Sequence, residues 1–158
     1  MNDLTHIDKQ NNPTMVDVSY KKITKRTATA TSTVIFPSEV KDYFQGNELV
    51  TKKGPVYHTA IIAGVMAAKK THELIPFCHP IAIENCKIDI QTNTQGNAEI
   101  TCTVSLHHKT GVEMEALTGA AIAALTIYDM CKALSHNIEI TATKLIKKTG
   151  GKYDVNQT

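Results

Sequence analysis

Aromatic residues are scarce in this sequence. Tryptophan is absent, and aromatic residues make up 5% of the 158 positions. Single-stranded nucleic acids are bound largely by stacking of bases on aromatic rings, so this composition argues against such a platform. The net charge of +2 is also small, whereas nucleic-acid-binding domains usually carry a strongly basic patch. We therefore expect no nucleic-acid partner.

Cysteine is also sparse, and no two cysteines are spaced as CxxC. The four cysteines stand at positions 78, 86, 102 and 131. This spacing lacks the pattern of a structural zinc site, and the last three fall among apolar residues, where a reduced thiol packs as a small hydrophobe. We expect no protein metal ligands and a reducing, cytoplasmic compartment.

Long hydrophobic runs are missing as well. The N-terminus has no basic segment followed by an apolar run, which argues against a secretory signal. The one extended apolar segment follows Glu115, but it contains Thr118, Gly119 and Thr126 and ends at Asp129. These features predict a buried helix instead of a membrane span, so we expect no membrane contact.

The patterning of the chain predicts an α+β fold. Alternation of apolar and polar residues predicts strands over 26–36, 82–92, 98–107 and 138–148, while capping signals and helical spacing predict helices over 38–44, 55–73 and about 111–136. The order β-α-α-β-β-α-β is typical of an antiparallel four-stranded sheet with helices packed on one face (ferredoxin-like). We assign residues 1–22 to an N-terminal arm, 23–152 to a single α+β domain and 153–158 to a C-terminal tail.

The helix after Thr110 has two unusual features. Thr110 and Glu113 match a capping box, and no charged residue occurs in 116–128. Because a helix that is apolar all round is buried on every side, we expect its far face to meet a second subunit, with a wide core face as the alternative. Glu115 and Asp129 lie about 21 Å apart near one face of the helix, so two antiparallel copies would form a composite site.

Several charged residues suggest a polyanionic ligand. Asp129 opposes the helix dipole in the last turns, so we predict a functional role for it, whereas Lys132 suits that end. The lysines at 52–53, 69–70, 132, 147–148 and 152 are each typical of a solvated surface, yet together with acidic residues and a histidine they suit a substrate such as a nucleoside triphosphate. Neither GxxxxGK[ST] nor GxGxxG occurs, which excludes the phosphate-binding loops with those patterns.

A stiff loop is predicted between two prolines. Pro76 and Pro80 bracket Phe77, Cys78 and His79, which disfavours helix there. Adjacent side chains of an extended segment point to opposite sides, so Cys78 and His79 are not expected to form a nucleophile pair. We expect the loop to present His79 to a ligand, and a purely structural histidine is the alternative.

These segments together resemble one known family. They include LIPFCHP at 74–80, KTGVEMEALT at 109–118, AALTIYDMCKA at 123–133 and KTGGK at 148–152. The chain is similar to the cyclic pyranopterin monophosphate synthases, the molybdenum cofactor biosynthesis protein C (MoaC) family, over nearly its whole length. The blocks around Glu113 and Asp129 are the most specific part of this resemblance.

The resemblance implies a lyase of molybdenum cofactor biosynthesis, with 23–152 as its catalytic domain. The implied substrate is 3′,8-cyclo-7,8-dihydroguanosine 5′-triphosphate, made by a radical partner enzyme, and the products are cyclic pyranopterin monophosphate and pyrophosphate. The family forms homohexamers, trimers of dimers, with sites at the dimer interface. No tightly bound cofactor is implied. Mg²⁺ is compatible as a clamp on the phosphates, although the sequence has no dedicated cage for it.

The resemblance also implies roles for individual residues. It makes Asp129 the catalytic acid/base, with Lys132 beside it, and a carboxylate next to a lysine can be tuned so that both are active near neutrality. It places a larger set in the substrate site: Phe77, Cys78, His79, Glu113, Met114, Glu115, Lys53, Lys69 and Lys148. Two other interpretations stay open. One is a metal-dependent phosphohydrolase with Asp129, Glu113, Glu115 and His79 as ligands, and the other is a non-catalytic nucleotide-binding oligomer.

Overall fold

The computed structural model describes residues 5–157, so positions 1–4 of the predicted arm and 158 of the predicted tail lie outside the described residues. The strands are β1 (Thr24–Ile35), β2 (Phe44–Gln45), β3 (Glu48–Thr51), β4 (Gly54–Pro55), β5 (Asn85–Thr92), β6 (Ala98–His108), β7 (Glu139–Thr149) and β8 (Val155–Asn156). The helices are α1 (Ser38–Lys41), α2 (Val56–Lys69), α3 (Thr71–Leu74) and α4 (Glu113–Cys131). The fold is α+β, as the patterning predicts.

The main sheet is antiparallel and has the strand order β5-β6-β1-β7-β8. Its central strand β1 buries Ala28, Ala30, Ser32 and Val34 on one face, while the intervening threonines lie on the other. The predicted number of four strands is too low, because the two-residue β8 folds back and pairs with β7. A strand this short shows no alternation that a sequence pattern can detect.

The helix α4 packs on β1, β6 and β7, and α2 packs on β5 and against α4. The two helices approach closely at a pair of glycines. A Cβ added at Gly64 would meet Ile88 Cδ1 and lie 2.8 Å from the backbone oxygen of Gly119. The small residues of α4 therefore serve contacts within the chain, and Ala120 and Ala124 are fully buried there. The wide core face accounts for this part of the helix, and no second subunit is needed to cover it.

The outer faces of the same helices remain apolar and exposed. Ile62 and Met66 on α2 are 62% and 52% exposed, and Leu125 on α4 is 54% exposed. By length and composition α4 could cross a membrane, but more than half of its most apolar stretch is buried inside the chain, as in a core helix. The exposed apolar residues are thus the part of the helical layer that is open to a partner.

Several predicted boundaries are wrong, each for a local reason. α1 is shorter than 38–44, because Phe44 belongs to β2, and Pro37 stands at its N-cap position instead of Ser38. α2 ends at Lys69, and α3 follows as a separate turn. The small sheet β2-β3-β4 is absent from the predicted order, since its strands are two to four residues long.

The predicted capping box of α4 does not form. The helix begins at Glu113, and the N-cap position is taken by Val112, whose apolar side chain cannot cap a backbone N–H; the Glu113 carboxylate binds Lys148 instead. The helix also ends at Cys131, five residues before the predicted limit of about 136. Both differences leave α4 with charged residues at its two ends that are bound by side chains from elsewhere in the fold.

Candidate active site

The N-terminal arm lies across the loop that the sequence predicts to present His79. The ring nitrogen Nε2 of His79 hydrogen-bonds the carbonyl oxygen of Val16, with 2.7 Å between the two atoms. The ring of His6 stacks on that of Phe77, with centroids 6.3 Å apart. Val16 and Val18 alternate with exposed residues and turn inward, so the arm forms one wall of the site.

A cavity of about 360 Å³ opens between the arm, the 75–80 loop and the first turn of α4. Its volume lies within the range of small-molecule sites, about 300–1,000 Å³. Apolar side chains, two carboxylates, a thiol, two histidines and a lysine are among the groups that line it, and they are Val16, Val18, Phe77, Met114, Glu113, Glu115, Cys78, His6, His79 and Lys21. A lining of this kind suits a heterocyclic ring, whose faces contact apolar groups and whose edge bonds to carboxylates. We name it the carboxylate cavity.

Glu115 is buried in the wall of the carboxylate cavity, at 4% exposure. Burial raises the pKa of its carboxyl to about 7, and like-charge repulsion from Glu113 adds to the rise. Burial and the nearby Glu115 also raise the pKa of the Cys78 thiol. Glu115 is therefore poised to gain or lose a proton at neutral pH, which is the property of a general acid or base.

A second cavity, of about 330 Å³, adjoins the first and shares Lys21 and Glu113 with it. Four basic side chains line this basic cavity, which are Lys21, Arg26, Lys148 and Lys152. The Nζ atom of Lys148 lies 2.9 Å from Oε1 of Glu113, and Arg26 donates to two backbone carbonyls just before α4. Convergent lysine and arginine side chains are typical of phosphate binding.

A third cluster lies at the other end of α4. The Nζ atom of Lys132 is 2.7 Å from Oδ1 of Asp129, and that of Lys53 is 3.4 Å from Oδ2. Lys53 Nζ also donates a hydrogen bond to the backbone oxygen of Asp129, at 2.9 Å. This carbonyl lies in the last turn of α4, where backbone oxygens have no partner within the helix. The two lysines offset the unfavourable position of Asp129 in the helix dipole.

These lysines also set the protonation of the cluster. Hydrogen bonds from Lys132 and Lys53 hold the pKa of Asp129 below its ordinary value, and the Asp129 carboxylate raises the pKa of Lys132. In the single chain neither pKa of this pair is shifted towards neutrality. At neutral pH Asp129 is a carboxylate that can accept a proton, and Lys132 is an ammonium that can donate one. The near-neutral pKa belongs to Glu115.

Comparison with known protein families shows which family has this sequence. Residues 15–151 match the MoaC family. The chain belongs to the MoaC family. The matched residues include both ends of α4, the 75–80 loop and β7, so every cluster described above lies at least partly inside the match.

Relatives of this MoaC chain share its sequence over nearly its full length. It is 56% identical to the protein named cyclic pyranopterin monophosphate synthase from Xanthomonas campestris pv. campestris (strain B100) over 152 residues, 96% of this chain and 92% of that protein. It is 49% identical to the protein of the same name from Clostridium perfringens (strain SM101 / Type A), covering 96% of this chain and 95% of that protein. The molybdenum cofactor biosynthesis bifunctional protein of Synechocystis sp. is 54% identical over 98% of this chain, which covers 46% of that longer protein.

The predicted site residues of this MoaC chain fall into two groups. At one end of α4 the two cavities bring together Phe77, Cys78, His79, Glu113, Met114, Glu115 and Lys148. At the other end, about 21 Å away along the helix, lie Asp129, Lys132 and Lys53. Lys69 is exposed at the end of α2 and lines neither cavity. Among residues 5–157 no three His, Cys, Asp or Glu side chains converge to hold a metal ion.

Two basic residues of the site, Lys21 and Arg26, are missing from the sequence prediction, whereas Lys152 is among the lysines that it associates with a polyanionic ligand. All three line the basic cavity. Arg26 reaches it because β1 pairs with β7 in a register that sets Thr27 opposite Thr149. The sequence predicts both strands but carries no signal for their register, so the convergence of these residues emerges only from the fold.

Proposed function

We propose that this chain is a cyclic pyranopterin monophosphate synthase, which converts 3′,8-cyclo-7,8-dihydroguanosine 5′-triphosphate into cyclic pyranopterin monophosphate and pyrophosphate. The observation that carries the proposal is membership of the MoaC family, with 56% identity to a relative of that name over 96% of the chain. For the scaffold we propose a ferredoxin-like arrangement of the four long strands, supported by their order β5-β6-β1-β7.

The two adjoining cavities suit the two parts of such a substrate. The carboxylate cavity would take the fused base and sugar, whose ring faces contact Phe77 and Met114 and whose edge bonds to Glu113 or Glu115. The basic cavity would take the triphosphate, with Lys148 and the neighbouring cations on its oxygens. Cys78 and His79 complete the wall, and the Val16 contact holds the His79 ring in place.

The protonation states suggest different proton-transfer roles for Asp129 and Glu115 in the reaction. The oxygen of the sugar hydroxyl would form a bond to the α-phosphorus, while Asp129, as a carboxylate, accepts the proton of that hydroxyl. The bond from the α-phosphorus to the bridging oxygen then breaks, and pyrophosphate leaves with its charge stabilised by the cations of the basic cavity, such as Lys148. Glu115, with its pKa of about 7, would exchange protons with ring nitrogens during the rearrangement.

A second copy of the chain would complete the site. Asp129 and Glu115 belong to one reaction in this proposal, yet they stand about 21 Å apart on α4. If two chains pack with their α4 helices antiparallel, Glu115 at the start of one helix lies near Asp129 at the end of the partner's helix. The exposed Ile62, Met66 and Leu125 provide the apolar surface for such contact, and Lys69 would then face the partner's site. We propose a homohexamer, a trimer of such dimers.

The pathway context is also part of the proposal. The bifunctional Synechocystis relative carries a further portion beyond the 46% that this chain covers, which supports a working partner among the pathway enzymes. We propose that this partner is the radical enzyme that makes the cyclic triphosphate, and that both act in the cytoplasm. We propose no tightly bound cofactor, with Mg²⁺ arriving on the substrate's phosphates.

The direct test supplies the purified protein with the cyclic triphosphate and follows pyrophosphate and the pterin product. Asp129→Asn and Lys132→Ala should each lower kcat by about 10²–10⁴-fold, typical of general acid–base groups, at unchanged oligomer mass. The double variant should be little worse than either single one, because groups that act as a unit are not additive. Metal-dependent release of inorganic phosphate would support the phosphohydrolase instead, and binding without turnover would support the non-catalytic oligomer.

A further inference from the structure

The Lys148 side chain is held from two sides. Its Nζ atom lies 2.9 Å from Oε1 of Glu113 and 4.4 Å from the centroid of the Tyr153 ring. The Lys148 side chain is only 18% exposed, whereas Tyr153 is 60% exposed, so the ammonium is shielded by the protein while one part of the ring faces water. An ammonium over an aromatic face is attracted by the negative potential of the ring, and the attraction grows as water is excluded.

The C-terminal segment is folded so that Tyr153 reaches this lysine. Gly150 turns the chain with φ +85°, and a Cβ there would meet the backbone oxygen of Lys25, so this turn needs glycine. The backbone N–H of Gly150 donates to Asp154 Oδ1 over 3.1 Å, and β8 then pairs with Lys147 and Lys148 of β7. The MoaC match ends at residue 151, so Tyr153 and β8 lie beyond it.

The ring and the carboxylate act differently on the lysine. Glu113 neutralises the Lys148 charge and lies on the wall shared with the carboxylate cavity, whereas Tyr153 and Lys148 both line the basic cavity. An aromatic ring restrains an ammonium without cancelling its charge. A lysine held by Glu113 alone would be less available to an anion in the basic cavity.

We propose that Tyr153 is a positioning residue that holds the Lys148 ammonium in the basic cavity and so strengthens the binding of phosphate groups there. That the natural ligand is a triphosphate rests on the proposed function. The binding chemistry itself requires only a polyphosphate, so inorganic pyrophosphate serves as the probe.

The experiment compares the parent with Tyr153→Phe, Tyr153→Leu and the control Asn156→Ala, which replaces an exposed side chain on β8. Tyr153→Leu should raise the Kd for pyrophosphate, measured by calorimetry, and the KM for the cyclic triphosphate by about 3- to 10-fold with kcat within about two-fold. Tyr153→Phe keeps the ring and should match the parent, as should Asn156→Ala. Circular dichroism and melting of each variant check that the fold is retained.

A double variant tests whether Tyr153 acts through Lys148. Lys148→Ala combined with Tyr153→Leu should bind pyrophosphate no more weakly than Lys148→Ala alone, since the ring then has no ammonium to hold. A full additional loss in the double variant, an unchanged Kd in Tyr153→Leu, or an equal loss in Tyr153→Phe would each overturn the proposal. If the parent fails to turn over the cyclic triphosphate but pyrophosphate binding follows the expected pattern, the proposed function fails and this inference stands.

Discussion

Replacing Glu115 by glutamine should remove a pH-dependent weakness of the fold. The pKa of Glu115 is raised from 4.5 to about 7 in the folded chain, mainly by burial. The folded state therefore binds more protons than the unfolded state between these values, and stability falls as pH rises through this window. The difference of about 2.5 pKa units corresponds to about 3 kcal/mol, which is fully present below pH 4.5 and fully lost above about pH 7.

Glutamine has nearly the shape of the protonated acid and no charge to lose. Glu115→Gln should exceed the parent by less than about 1 kcal/mol at pH 5 and by about 3 kcal/mol at pH 8, or about 6–12 °C in Tm for a chain of this size. Urea unfolding at fixed protein concentration, followed by far-ultraviolet circular dichroism because the chain has no tryptophan, measures this from pH 5 to 8.5.

The control is Glu73→Gln, which changes an exposed glutamate in α3 and should keep the parent's pH dependence. The reasoning fails if Glu115→Gln loses stability with rising pH as steeply as the parent. It also fails if the variant is less stable than the parent at pH 8, since that would mean the carboxylate is stabilised in the fold instead of penalised.

Two further substitutions test the packing of the helices. Gly64→Ala should destabilise the chain by about 1–3 kcal/mol in urea unfolding, because the added methyl meets Ile88 and the backbone of Gly119; an unchanged midpoint would show that α2 can move away. Leu125→Arg should reduce the oligomer mass in sedimentation with little change in monomer folding, because Leu125 is exposed in the single chain; an unchanged mass would place the interface elsewhere.

The long elements of this fold are predictable because their patterns are local. The alternation over 98–107 predicts β6 to within one residue of its observed end at His108. β2, β4 and β8 are two residues long, so no periodicity can reveal them. The capping box predicted at Thr110 does not form, because α4 begins at Glu113 with Val112 at the N-cap position and the Glu113 carboxylate binds Lys148 of β7.

Residues of the candidate site can be predicted where they belong to one sequence segment, but not where the fold brings them together from separate elements. The resemblance identifies Glu115 and Asp129, but their opposite proton affinities follow from burial in one case and from two lysines in the other. Lys53 reaches Asp129 only through the small sheet, whose strands are too short to predict. Arg26 enters the basic cavity through the β1–β7 register, which no sequence pattern specifies.

The separation of charged clusters at the two ends of α4 has a genetic consequence. If each working site combines one end of α4 from one subunit with the other end from its neighbour, an allele damaged at Glu113 and an allele damaged at Asp129 rescue each other. Random pairing of equal amounts of the two products leaves half of the dimers mixed, each with one intact site, so about a quarter of full activity returns. Two alleles damaged at the same end share the defect and give no rescue.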